Sequence, residues 1–124
     1  MPTILILEDD ASARNALVGM LRDLFPRTRV FATRVDASSG IADGDDAVTL
    51  VLTGLAAVEE ARRRLPKSAG VIALTRDMGP DTLLRAEALG VTASVRAPAT
   101  PERLRQVLEP ILGRVEASGA RDPD

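Results

Sequence analysis

Apolar residues along the chain fall into short unbroken runs, separated by longer stretches in which they recur every three or four positions. Thr3-Ile4-Leu5-Ile6-Leu7 is the first run; four consecutive branched apolar residues with turn and charge signals close behind read as a strand buried on both faces. Val48-Thr49-Leu50-Val51-Leu52 and Val71-Ile72-Ala73-Leu74 repeat that signature. Val30-Phe31-Ala32 is a shorter strand candidate, and Val91, Ala93 and Val95 alternate with Thr92, Ser94 and Arg96 as a strand at a sheet edge would.

The intervening stretches have the helical period. Ala13, Leu17, Met20, Leu21 and Leu24 mark a helix that Phe25-Pro26 ends. Residues 34–46 carry Ser38, Ser39, Gly40 and Gly44 and predict only a short, frayed helix. Val58, Ala61 and Leu65 mark a third helix stopping at Pro66. Gly79-Pro80-Asp81 is a helix start with Pro in its first turn, and Gly90 is the matching stop after Leu83, Leu84 and Leu89. Thr100-Pro101-Glu102 opens the last helix, whose Leu104, Val107, Leu108, Ile111, Leu112 and Val115 form a broad stripe. Pro110 lies off that stripe and predicts a kink rather than an end. Residues 1–115 thus read as one domain, and 116–124, small and polar, as a linker or disordered tail.

Five strands alternating with about five helices predict right-handed crossovers and a parallel sheet with helices on both faces, a three-layer α/β sandwich. The three continuous apolar strands belong in the middle. The flavodoxin-like order 2-1-3-4-5 puts them there and leaves strands two and five at the edges.

Composition narrows the chemistry. The chain has 124 residues, enough for one domain with a single core. Lys plus Arg (16) nearly balance Asp plus Glu (18), so no basic face for nucleic acid is expected. There are no cysteines and no histidines, which removes thiol chemistry, disulfides, imidazole bases and most zinc sites. No apolar run approaches the ~20 residues of a membrane span, so no membrane contact and a cytoplasmic location are expected. Phe25 and Phe31 are the only aromatic residues, which argues against base stacking.

In sheets of this order ligands sit beyond the carboxyl ends of the strands, at the switch point between strands one and three. That point is expected to gather Glu8, Asp9, Asp10, Thr53, Gly54, Thr75, Arg76 and Asp77. Asp10 and Ser12 are good N-cap residues, but one cap does not need three acids. Like charges so close raise one another's pKa unless a cation or a wet cleft relieves them. Three acids would repel a cofactor phosphate, whereas Mg²⁺ is usually held by one or two carboxylates with waters and a phosphoryl oxygen. A metal-assisted phosphoryl site therefore fits better than a nucleotide cradle.

From residue 3 to residue 115 the chain resembles the receiver domain of bacterial two-component response regulators. Ile4 through Asp10 is similar to that family's first strand and acidic metal-binding pair, which fall on Glu8 and Asp9. Val71-Ile72-Ala73-Leu74-Thr75 resembles the fourth strand, with the switch hydroxyl at Thr75. Ala88-Leu89-Gly90-Val91 and Arg96-Ala97-Pro98 match the fifth-strand region, and Pro98 is the candidate for the family's cis bond.

The departures bear directly on function. The phospho-accepting Asp of the family falls on Gly54, or on Thr53 if the register slips by one, and no Asp or Glu occurs from Val48 through Val58. The Lys that would pair the phosphoryl group is Ala97, and the aromatic switch position is Ser94. The small residue after the switch hydroxyl is Arg76, an internal counter-charge candidate for Glu8 and Asp9. Gly54 and Thr75 stand only 21 residues apart, fewer than receivers normally use.

The expectation is therefore a receiver-like signalling domain that is not an enzyme, a pseudo-receiver acting through protein contact. No cofactor is required, and Mg²⁺ at Glu8 and Asp9 is a weak expectation. The resemblance implies a protein partner such as a histidine kinase or output domain, or a homodimer, through the fourth helix, fifth strand and fifth helix. Leu83, Leu84 and Arg103 lie in that region, although a helical leucine stripe is more often core. The alternative is a phosphorylatable regulator with a displaced acceptor at Asp9, Asp10 or Thr53. A small flavodoxin-like ligand binder has less support.

Overall fold

The computed structural model describes residues 2–35, 48–64 and 68–120. Its elements in chain order are β1 (Thr3–Leu7), α1 (Ala11–Leu24), β2 (Arg29–Thr33), β3 (Leu50–Gly54), a 3₁₀ turn (Leu55–Ala57) running into α2 (Val58–Arg64), β4 (Gly70–Thr75), α3 (Pro80–Ala88), β5 (Ala93–Arg96) and α4 (Pro101–Ala120). The five strands are parallel and ordered β2-β1-β3-β4-β5, as the apolar pattern predicts.

Two apolar layers cover the sheet. Ile4, Ile6, Leu50, Leu52, Ile72 and Val95 form one face with Leu17 and Leu21 of α1 and Leu104, Leu108 and Leu112 of α4. Leu5, Leu7, Val51 and Val71 form the other, with Val58 and Ala61 of α2 and the partly buried Leu89 after α3. Even and odd strand positions thus feed different cores, which is why the central runs are apolar at every position.

Local signals end the helices where the sequence places them. Asp10 caps α1 by accepting a hydrogen bond from Ser12 N at 3.1 Å. Gly90, at φ 76°, follows α3, with Val91 N donating to Ala86 O and Gly90 N to Glu87 O. That pair of bonds is the Schellman arrangement, and it needs a residue without a Cβ penalty at positive φ.

Several boundaries differ from those expected. The third strand runs Leu50–Gly54 rather than 48–52, because pairing starts at Ile4 opposite Leu50 and continues to Gly54 opposite Leu74. Val91 is spent on the end of α3, so β5 begins at Ala93. The last helix passes through Pro110 and reaches Ala120, so residues 116–120, expected as a linker or disordered tail, are helical. Extending an existing helix adds a bond per residue fixed, and Glu116, Ala117 and Ala120 favour it. The frayed helix expected at 34–46 lies almost wholly outside the described residues, as do Leu65, Pro66 and residues 121–124. Four α-helices are described where about five were expected.

At the amino-terminal end of the sheet, Arg62 of α2 donates to Ala69 O at 3.0 Å and to Gly90 O at 2.7 Å, tying α2 to β4 and to the end of α3. Arg62→Ala is expected to cost about 1–2 kcal/mol, the loss of two charge-assisted bonds partly repaired by water. Leu104→Ala, at a fully buried position, is expected to cost about 2–5 kcal/mol. Urea unfolding of the three proteins side by side measures both.

Candidate functional site

Strand alternation decides which side chains meet at the carboxyl end of the sheet. Glu8 continues the parity of Ile4 and Ile6, Gly54 that of Leu50 and Leu52, and Arg76 that of Ile72 and Leu74. All three line one cleft of about 520 Å³ on the α1/α4 face. Leu7 pairs with Thr53, so Glu8 stands beside Gly54, which in turn pairs with Leu74. Ala13, Ala16, Leu17 and Met20 of α1 wall one side, and Ala97, Pro98 and Ala99 the other. The Ala97–Pro98 bond is cis, and Ala97 N donates to Thr75 O at 2.8 Å.

Asp10 also lines the cleft, whereas Asp9, Thr53, Thr75 and Asp77 take the opposite parity and do not. Asp9 Oδ1 accepts from Val35 N at 3.0 Å. Thr53 is fully buried, and among the described residues its Oγ1 has no hydrogen-bond partner. Ser94, half-buried and paired with Ala73, also stands on the opposite face from Val95. Thr75 Oγ1 donates to Asp77 O at 2.9 Å and accepts from Asp77 N at 3.2 Å. Asp77 then accepts from Gly79 N and from the Thr82 hydroxyl, each at 2.8 Å. A local chain of bonds thus fastens the Thr75 hydroxyl into the start of α3.

The acidic triplet is divided among backbone donors. Glu8 Oε2 accepts from Asp10 N at 3.4 Å, the long limit of such a bond, while Asp9 serves Val35 and Asp10 serves Ser12. Arg14 Nη1 adds a positive charge nearby, donating to Glu8 O at 2.8 Å. These residues are a poor fit to a resident divalent cation. Gly54 offers no oxygen-bearing side chain, Asp9 is turned toward Val35, and among the described residues no cluster of three or more acids is placed to hold a metal. Arg76 is exposed at the mouth, and no ion pair joins it to Glu8 or Asp9.

Gly54 itself is unstrained, with φ −64° and ψ 150°. A Cβ built there would meet only Leu74 O, at 4.0 Å. The position can therefore carry a side chain into the cleft, and this chain leaves it bare. On the far face, Leu83 and Leu84 of α3 are 40% and 64% exposed, so neither is core. Arg103 is exposed and donates to Gln106 Oε1 at 3.2 Å.

Sequence reasoning overlooked the α1 wall. Ala13 and Met20 mark only a helical period in the sequence, yet with Ala16 their one-turn spacing, 13-16-20, places them on one wall, where the two alanines leave the cleft open. It also missed that Asp9 and Asp77 serve turns, because their partners are backbone N–H groups that no side-chain pattern reveals.

Two outcomes test this geometry. Thr53→Val removes a buried hydroxyl without a partner and is expected to raise stability by about 1 kcal/mol, read by urea denaturation. The Gly79 N–H, the Thr82 hydroxyl and Arg96 hold the Asp77 carboxyl below its ordinary value of 3.8. A depressed carboxylate stabilises the fold above its unfolded pKa and loses that contribution as pH falls through the folded one. Asp77→Asn is therefore expected to be less stable than wild type at neutral pH, with the gap closing below pH 3.8.

No family model and no curated protein matches the chain. Solved structures do. A protein from Burkholderia pseudomallei described as pilus-assembly-related is 30% identical over 92% of this chain and 91% of its own, with a TM-score of 0.76. A protein from Burkholderia thailandensis, described as the pilus assembly protein CpaE, is 28% identical over 91% of this chain and 99% of its own, at 0.75. The signal receiver domain of a DNA-binding response regulator from Colwellia psychrerythraea is 22% identical over 91% and 99%, at 0.74. With the strand order, the acids closing β1 and the threonine closing β4 all in place, the chain belongs to the response-regulator receiver domains.

Proposed function

We propose that this receiver domain is a pseudo-receiver, a signalling module that works by protein contact and does not accept a phosphoryl group. The observation that carries this reading is Gly54, the bare tip of β3 beside Glu8, where the transfer would need a carboxylate. Aspartyl phosphorylation needs a nucleophilic carboxylate, a bound metal and a cationic clamp together. Ala97 removes the clamp, and the fully buried Thr53 cannot meet a donor without the sheet opening. The bonds from Thr75 to Asp77 occupy the hydroxyl that would otherwise report a phosphoryl group. The proposed contact face is α3, β5 and α4, where Leu83, Leu84 and Arg103 are exposed; an output domain or histidine kinase is the partner class. The two pilus-assembly neighbours make that process a reasonable setting. Among the described residues no helix is long and apolar enough to cross a membrane, in keeping with work in the cytoplasm.

Incubation with acetyl phosphate and Mg²⁺, followed by intact-mass measurement, is expected to show no phosphoryl adduct. A stoichiometric adduct on Asp9, Asp10 or Thr53 would overturn the proposal in favour of a displaced acceptor. The double substitution Gly54→Asp, Ala97→Lys is expected to gain an adduct, since the backbone at Gly54 accommodates a Cβ.

A further inference from the structure

The strand-tip cleft is open, sizeable and dipolar. Its volume of about 520 Å³ lies within the ~300–1,000 Å³ of small-molecule sites. At one end stands Glu8, beyond β1. At the other stands Arg76, beyond β4. β3 lies between them, so the two strand axes are roughly 10 Å apart, with side-chain-free Gly54 in the gap. Glu8 Oε1 and the Arg76 guanidinium have no hydrogen-bond or ion-pair partner among the described residues. Beneath them the surface is aliphatic: Leu17 and Met20 from α1, Leu74 from β4, and Ala97, Pro98 and Ala99 from the loop before α4.

Each feature excludes a class of ligand. Neither Phe25 nor Phe31 lines the cleft, so nothing stacks on a nucleobase. Glu8 and Asp10 repel a phosphate ester, and the aliphatic floor gives no hydrogen bonds to a sugar. A carboxylate and a guanidinium facing each other over an aliphatic floor complement a zwitterion with an aliphatic body. We infer that the cleft binds an aliphatic amino acid, its ammonium at Glu8, its carboxylate at Arg76 and its side chain against Leu17, Met20 and Leu74. Arg76 suits the carboxylate because its planar fork can donate two parallel hydrogen bonds. Such a ligand would join β1 and α1 to the loop that follows β4, supplying the cross-site link that no phosphoryl group provides here. Both charged contacts are at the mouth, so added salt weakens binding.

L-leucine is the probe, titrated into the full chain and followed by amide NMR and calorimetry. Its two half-ligands are 3-methylbutylamine, which lacks the carboxylate, and 4-methylpentanoate, which lacks the ammonium. Leucine is expected to bind at least tenfold tighter than either, shifting the amides of Glu8, Gly54, Arg76 and Ala97. Arg76→Gln and Glu8→Gln are each expected to weaken leucine at least tenfold, and Arg76→Gln to leave 3-methylbutylamine unchanged. Ala16→Leu, which fills the α1 wall, is expected to abolish binding. Unfolding midpoints check that each variant is folded. No leucine binding overturns the inference, as does equal binding of a half-ligand or binding that Arg76→Gln does not touch. None of these readouts depends on phosphorylation, so the phosphodonor result and this one stand or fall separately.

Discussion

The two-residue alternation of the three central strands governs everything at the mouth of the sheet. In a parallel sheet covered on both faces, each strand must be apolar at every position, and each residue commits to one core or the other. That commitment does not stop at the last apolar residue. It delivers Glu8, Gly54 and Arg76 to the α1/α4 side and Asp9, Thr53 and Thr75 to the other. A slip of one residue in β3 would exchange Thr53 for Gly54 at the cleft, but it would also expose Val51 and Leu52 to the wrong cores. The register is therefore held by the full set of buried branched side chains, and the identity of the strand-tip residue is fixed with it.

Several functional features follow from that one constraint. The acids that close β1 are spread over three backbone donors, so their mutual repulsion is relieved locally by amide dipoles and the nearby Arg14. The hydroxyl at the end of β4 is engaged with its own loop, through Asp77, and the loop in turn starts α3. What remains at the cleft is a negative edge, a positive edge and an aliphatic floor without a nucleophile between them. The same α3 that is tied down through Asp77 and Thr82 turns Leu83 and Leu84 outward.

The strand order was legible in the sequence because unbroken apolar runs, edge alternation and the Gly79-Pro80 and Gly90 punctuation all pointed to one topology. At the tip of the third strand the sequence left Gly54 and Thr53 as alternatives, and it is the pairing of Ile4 with Leu50 that turns Gly54 to the cleft. Less legible was the division of the acidic triplet. Glu8, Asp9 and Asp10 look equivalent in sequence, and only backbone geometry brings Glu8 and Asp10 to the cleft, Asp10 also capping α1, and turns Asp9 to Val35. The boundary errors have the same origin. Val91 has the pattern of a strand residue but donates its N–H to the end of α3, and the helix continues beyond Val115, where the apolar stripe has ended.

The central claim is that the cleft keeps a carboxylate rim but has no group to receive phosphorus. Beryllium trifluoride mimics an acyl phosphate when a carboxylate oxygen completes its tetrahedron, and titrating it with Mg²⁺ while recording backbone amide spectra tests the claim most directly. The amides of Glu8, Gly54, Thr75 and Ala97 are predicted to stay in place at saturating fluoride. Saturable shifts of those amides, spreading to Leu83 and Leu84, would contradict it.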